Sequence, residues 1–196
     1  QDTDASGEQI NLTNVSASGV SMNMGAASLV SVQISALTVA SGDFKFSGTN
    51  FNGGLHVMHM SASGASIVTG ANFIASAQSV ALTDNFTLNG AALTSASLTF
   101  QIISASGSVS MSFGAMTGDL VVGKISTLSD ITFSGETANG LGMTIGELSA
   151  SGISVSLGEV SDTSNNFSAS VIDSSNFTMT ATDFRDSINL HHVSAV

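Results

Sequence analysis

Ser16-Ala17-Ser18-Gly19-Val20-Ser21-Met22-Asn23-Met24-Gly25 is the stretch on which the fold turns. Its first half, Ser-Ala-Ser-Gly, returns at Ser61-Ala62-Ser63-Gly64, Ser104-Ala105-Ser106-Gly107 and Ser149-Ala150-Ser151-Gly152, with starts 45, 43 and 45 residues apart. Its second half alternates apolar and polar residues, the signature of a strand with one buried face. Ala40-Ser41-Gly42 falls halfway between the first two copies. The basic unit is therefore about 22 residues, and units come in pairs.

A glycine column supports the same period. Gly25, Gly48, Gly70, Gly90, Gly114, Gly135 and Gly158 each close an alternating strand, at spacings of 20 to 24. In odd units the apolar residues lie one, three and five before the glycine, as in Val109, Met111 and Phe113. In even units they lie two and four before it, as in Ile131 and Phe133, or Phe44 and Phe46. Most units carry a further alternating strand, such as Val30, Val32 and Ile34, or Leu98, Phe100 and Ile102, or Leu141, Met143 and Ile145. No stretch sustains a 3.6-residue period, and the β-branched, Ser and Thr content disfavours helix.

These patterns predict an all-β fold, a β-solenoid of about eight coils of about 22 residues each, with equivalent residues stacked about 4.8 Å apart. An antiparallel meander or barrel is the alternative. Against it, hairpin-forming Asn-Gly pairs occur only at Asn52-Gly53, Asn89-Gly90 and Asn139-Gly140. The expected organisation is a polar N-terminal arm or cap over 1–14, a repeat array over 15–181 in alternating coil pairs, and a C-terminal cap or arm over 182–196.

Composition narrows the function. Pro, Cys, Trp and Tyr are absent and only 9% of residues are charged, whereas roughly 25% is ordinary for soluble domains. Fourteen acids stand against Lys45, Lys124 and Arg185, for a net charge of −11. Nucleic acid and anionic lipid are poor partners for such a surface, because both require clustered Lys and Arg. Mean hydropathy is +0.38, yet no apolar run approaches the ~20 residues of a membrane helix. The chain opens at Gln1 without an initiator Met, which fits a mature product after signal removal and fits a trimmed chain equally well.

No catalytic or cofactor-binding constellation emerges. His56 and His59 should point to opposite faces of a strand, and adjacent His191 and His192 likewise, so neither pair grips one metal. Asp43, Asn85, Asp130 and Asn176 form a column ahead of the even-unit strands. Calcium is one role for it. Turn capping needs the same residue types, and no Gly-Gly-x-Gly-x-Asp nonapeptide of a calcium-binding roll occurs. Ser is abundant, but no Gly-x-Ser-x-Gly elbow precedes a helical stretch.

One surface stands out. The outward positions Ser21, Ser47, Ser66, Thr87, Ser110, Thr132, Ser154 and Thr178 form a nearly uncharged hydroxyl face. It is either a plain soluble sheet face or a contact surface for a neighbouring subunit, a sugar polymer or ice. Lys45 and Val68 interrupt the regularity that an ice lattice would favour.

Gln1-Asp2 ahead of weak repeats of some twenty residues resembles secreted proteins of Gram-negative bacteria assigned to a pilus system, as does Gly140-Leu141-Gly142-Met143-Thr144-Ile145-Gly146 leading into Ile153-Ser154-Val155-Ser156-Leu157-Gly158. The resemblance covers most of the chain. It implies an extracellular, filamentous role and transfers no functional residue. The expected function is therefore an extracellular or cell-surface structural protein, a filament or layer subunit that self-associates end to end by β-strand addition. A monomeric adhesin or carbohydrate-binding module, with a polysaccharide or other surface component as partner, is the alternative; an ice-binding protein is the second.

Overall fold

Parallel pairing between segments about one repeat apart organises the chain. The computed structural model describes residues 9–24, 32–48, 53–70, 73–158, 166–182 and 187–195. They form β1 (Gln9–Asn23), β2 (Val32–Gly48), β3 (Gly53–Thr69), β4 (Phe73–Leu82), β5 (Phe86–Ala105), β6 (Val109–Thr127), β7 (Asp130–Leu157), β8 (Asn166–Ala181) and β9 (Ser187–Ala195). The order in the sheet is the order in the chain, every pairing is parallel, and β3 also pairs with β5. Parallel neighbours rule out a meander of hairpins. The molecule is a β-solenoid, as the repeat requires. Strand β7 is longer than one coil and lies on itself: Ser151 N–H donates to Ser129 O at 2.9 Å and Gly158 N–H to Gly135 O at 2.6 Å.

Each coil carries two sets of inward columns. On the first strand of the coil one column runs Ile34, Leu55, Ala75, Leu98, Leu120, Met143, Phe167, Ile188, and the backbone of Ile10 pairs with Ile34 at its head. On the second strand it runs Val20, Phe44, Ala65, Phe86, Val109, Ile131, Ile153, Phe177. Phe44, Phe46, Phe73, Phe86, Phe133 and Phe167 are fully buried, so phenylalanine fills the interior at these positions. Rings from different rungs interlock, with Phe46 of β2 and Phe73 of β4 at a centroid distance of 5.7 Å and Phe86 edge-on to Phe100 at 5.8 Å.

Besides the corner that carries the Asp/Asn column, strict alternation fails within the first strand of the coil. Val57 and Met60 both point in, and Met58 and His59 both point out. The same step recurs at Ala77 to Val80, Phe100 to Ile103, Val122 to Ile125, Ile145 to Leu148 and Ala169 to Ile172. Two consecutive outward residues re-aim the strand, and this bends an extended chain into a coil. Ile102, expected inside, is therefore 47% exposed, and Ile103 takes the interior place. His56 and His59, expected on opposite faces, both lie on the outside for the same reason.

The expected single glycine column resolves into two. Even-unit glycines occupy an inward position that alternates with larger residues: Gly48 pairs with Thr69, Thr69 with Gly90, Gly90 with Phe113 and Phe113 with Gly135. The odd-unit glycines Gly70, Gly114 and Gly158 fall one residue later in the chain, and Gly25 lies outside the described residues. Large against small keeps the stack filled at a fixed rung spacing, and it accounts for the different apolar registers of odd and even units.

The Ser-Ala-Ser-Gly glycines have another task. Gly19 pairs with Asp43, Asp43 with Gly64, and Gly152 with Asn176. A Cβ on Gly152 would lie 2.8 Å from Asp130 Oδ1. The bare backbone on one rung makes room for the Asp or Asn of the next, so coils repeat in pairs. At Gly118 the backbone itself demands glycine, with φ +123° and Ala96 backbone atoms where a Cβ would sit.

The pairing also passes both boundaries drawn from the repeat alone. Residues 9–14 pair with 33–38, and 187–195 with 166–174, as further rungs. The rest of the expected arms, 1–8, 183–186 and 196, and the apolar position Val30 lie outside the described residues. Thr69 Oγ1 and Ser174 Oγ are buried without a hydrogen-bond partner.

Interior packing should dominate stability. Phe133→Ala should cost roughly 3–5 kcal/mol in chemical denaturation, the range for a truncated core aromatic. His59→Ala, at an exposed position, should stay within about 0.5 kcal/mol. A larger loss for His59 would contradict the assignment of interior and exterior.

Candidate interaction surface

Stacking turns each outward residue into one step of a ladder. Ser21 pairs with Lys45, Lys45 with Ser66, Ser66 with Thr87, Thr87 with Ser110 and Ser110 with Thr132; Ser154 pairs with Thr178. The hydroxyl face thus brings Ser21, Ser66, Thr87, Ser110, Thr132, Ser154 and Thr178 to one line of the second strand. Ser47 belongs to the neighbouring line, between Asn23 and Val68. Lys45 fills the place in the first line, with Nζ 3.7 Å from Asp43 Oδ2.

The Asp/Asn column sits at the corner between the two strands. Asn85 Oδ1 accepts the Ser108 N–H at 2.7 Å, one rung on, while Asn85 O accepts the Ala65 N–H at 2.9 Å. Asn85 thereby ties its own rung to both neighbours, which is turn capping extended along the stack. A Gly or Ser rung separates successive Asp or Asn positions, which places Asp43, Asn85, Asp130 and Asn176 about 9.6 Å apart at two rungs each. Ligands of one ion lie about 2.4 Å from it, so no two members of this column can share one. Among the described residues no three His, Asp or Glu side chains gather in a metal-binding group.

Along the first strand and its bend runs an open groove of about 560 Å³. Thr13, Ser35, His56, Met58, Gln78 and Gln101 line it, with no charged residue among its walls. His56 Nδ1 lies 2.7 Å from Ser76 Oγ, a bond from one rung to the next. The groove owes its existence to the double-outward step, which turns the bend residues away from the adjoining strand. Farther along the same face the outward ladder turns charged, with Lys124 Nζ 2.7 Å from Glu147 Oε1.

The C-terminal rung presents a different surface. Ile188, Leu190 and Val193 occupy the inward columns of Phe167, Ala169 and Ile172, yet they are 43%, 36% and 44% exposed. Their strand, β9, pairs with β8 along one edge, and among the described residues nothing pairs with the other. At the opposite end Val15, Val20, Met22 and Met24 are only partly buried against the core.

No protein-family model matches this chain, and no curated protein or solved structure matches it either.

The corner column should hold its shape by hydrogen bonding. Excess chelator should leave the melting temperature unchanged, and added calcium should not raise it. A substantial chelator-induced drop in melting temperature would contradict the capping role assigned to Asn85 and its equivalents.

Proposed function

We propose that the chain is an extracellular structural protein, a subunit of a surface filament or layer that assembles end to end by β-strand addition. The observation that carries the proposal is the terminal rung. Strand β9 offers an edge that no described residue pairs with, and three apolar side chains in interior positions. A free parallel edge above an apolar interior is a template for another strand, and natural proteins otherwise cover such edges. A contact between two different ends of one molecule is heterologous, and repeated heterologous contacts give open filaments. The hydroxyl ladder running along the rod, charged only at Lys45 among the described residues, suits lateral contact between filaments, with Ser66, Thr87, Ser110 and Thr132 as its centre.

A second proposal, a monomeric adhesin or carbohydrate-binding module, draws on the groove. Its volume lies in the range of small-molecule sites. Its hydroxyl, amide and imidazole lining would hydrogen-bond a neutral sugar polymer. It has no aromatic platform for stacking, and this places it second.

Sedimentation velocity across a concentration series separates the two. Full-length protein should move to larger species as concentration rises, and Val193→Asp, which sets a charge on the open end, should hold it monomeric. Strictly monomeric wild-type behaviour at high concentration would remove the filament proposal and leave the carbohydrate-binding one.

A further inference from the structure

The first and last rungs among the described residues carry nearly the same sequence. Residues 10–17 read Ile-Asn-Leu-Thr-Asn-Val-Ser-Ala and residues 188–195 read Ile-Asn-Leu-His-His-Val-Ser-Ala, identical at six of eight positions. The match is in register. Following the pairings rung by rung carries Ile10 to Ile188, Asn11 to Asn189, Leu12 to Leu190 and Val15 to Val193. General similarity among repeats does not account for it, since no intervening rung matches 10–17 at more than two of the eight positions. The corresponding triplets inside the stack, Leu55-His56-Val57 or Met143-Thr144-Ile145 for example, share the apolar pattern and not the residues.

Rung counting shows what this identity can serve. Among the described residues the first-strand ladder holds nine positions, from Ile10 to Ile188, and the second-strand ladder holds eight, from Val20 to Phe177. If one copy simply sat on the next, β9 would pair with the next copy's residues 9–17. The second-strand columns would then miss one rung at the junction, between Phe177 of one copy and Val20 of the next. That gap, one rung or about 4.8 Å high, would open onto Met179 and Met22. If instead β9 takes the place of residues 9–17 in the next copy, both columns run on without interruption. Residues 187–195 then lie against residues 33–41 of β2, and 176–180 lie against 19–23.

We infer that the subunits join by strand exchange: β9 of one copy displaces residues 9–17 of the next and pairs in parallel with its β2. The occupant of the open end is thus a second copy of this chain, and the proposal rests on the filament reading given above. The near-identity makes the exchange almost balanced along β2, since Ile188, Asn189, Leu190, Val193, Ser194 and Ala195 replace identical residues. The net gain comes from the second strand: the partly buried Phe177 and Met179 of one copy and the partly buried Val20 and Met22 of the next cover each other, while burial of β9 against β2 offsets the release of residues 9–17. The two substituted positions do not point into the core: Thr13 and Asn14 are exposed, and so are His191 and His192. At the interior positions of β9, Ile188, Leu190 and Val193 match Ile10, Leu12 and Val15 residue for residue.

The chain lacks cysteine, so engineered thiols report the junction directly. Asn11 pairs with Ser35 within one subunit; exchange puts Asn189 of another subunit in that place, at a strand spacing a disulfide can bridge. Asn189→Cys protein would be mixed with isotope-labelled Ser35→Cys protein, and in a parallel mixture with labelled Asn11→Cys protein. Each mixture would be assembled at high concentration, oxidised mildly and read by mass. Mixed disulfide between Asn189→Cys and Ser35→Cys, well above that with Asn11→Cys, is the expected result. Mixed disulfide with Asn11→Cys at equal or higher yield would overturn exchange and leave plain end-to-end stacking. Assembly without either mixed species would overturn exchange and the end-to-end junction together. Protein that sediments as a monomer throughout would overturn the filament proposal itself.

Discussion

Parallel stacking at one strand spacing is the constraint on which everything else in this molecule depends. Once residue i must lie about 4.8 Å from residue i plus one coil, each position inherits a neighbour of the same orientation above and below. A column can then hold only residues that tolerate their own kind or alternate in size. Phe44 over Ala65 over Phe86, and Thr69 between Gly48 and Gly90, are two solutions of that packing problem. Asp43 between Gly19 and Gly64 is the polar version at the corner. The pairing of coils in the sequence is the trace of this alternation along the axis.

That constraint also explains what could be read from residues alone. Stacking forces like positions to recur, so the period, the all-β class and the interior roles of Phe44, Phe86 and Phe133 were legible. The double-outward step was not, because alternation assumed through it puts Ile102 inside and Ile103 outside and separates His56 from His59. No local residue type marks the step: Met58, Gln78, Gln101 and Gly123 hold equivalent places. The lateral register of the hydroxyl face slipped at one rung for a related reason. Ser47 is a better chemical match to the column than Lys45, but position is set by backbone pairing with Ser21 and Ser66, not by chemistry.

The open end was the least legible feature and carries the most functional weight. Ile188, Leu190 and Val193 look like any other interior triplet until the described ladder is seen to end with them. Their signal in the sequence is the recurrence of Ile-Asn-Leu-x-x-Val-Ser-Ala at the first and last described rungs, overshadowed by the more frequent Ser-Ala-Ser-Gly. Low charge and a hydroxyl-rich exterior suit a stack of this kind.

The central claim is that copies extend the stack along its own axis. X-ray diffraction from aligned assemblies tests it most directly, because the strands of every coil lie across that axis. The account predicts a sharp reflection near 4.8 Å on the meridian, parallel to the long axis of the assembly and continuous through the subunit junctions. A 4.8 Å reflection on the equator, or discrete particles that cannot be aligned at all, would contradict it.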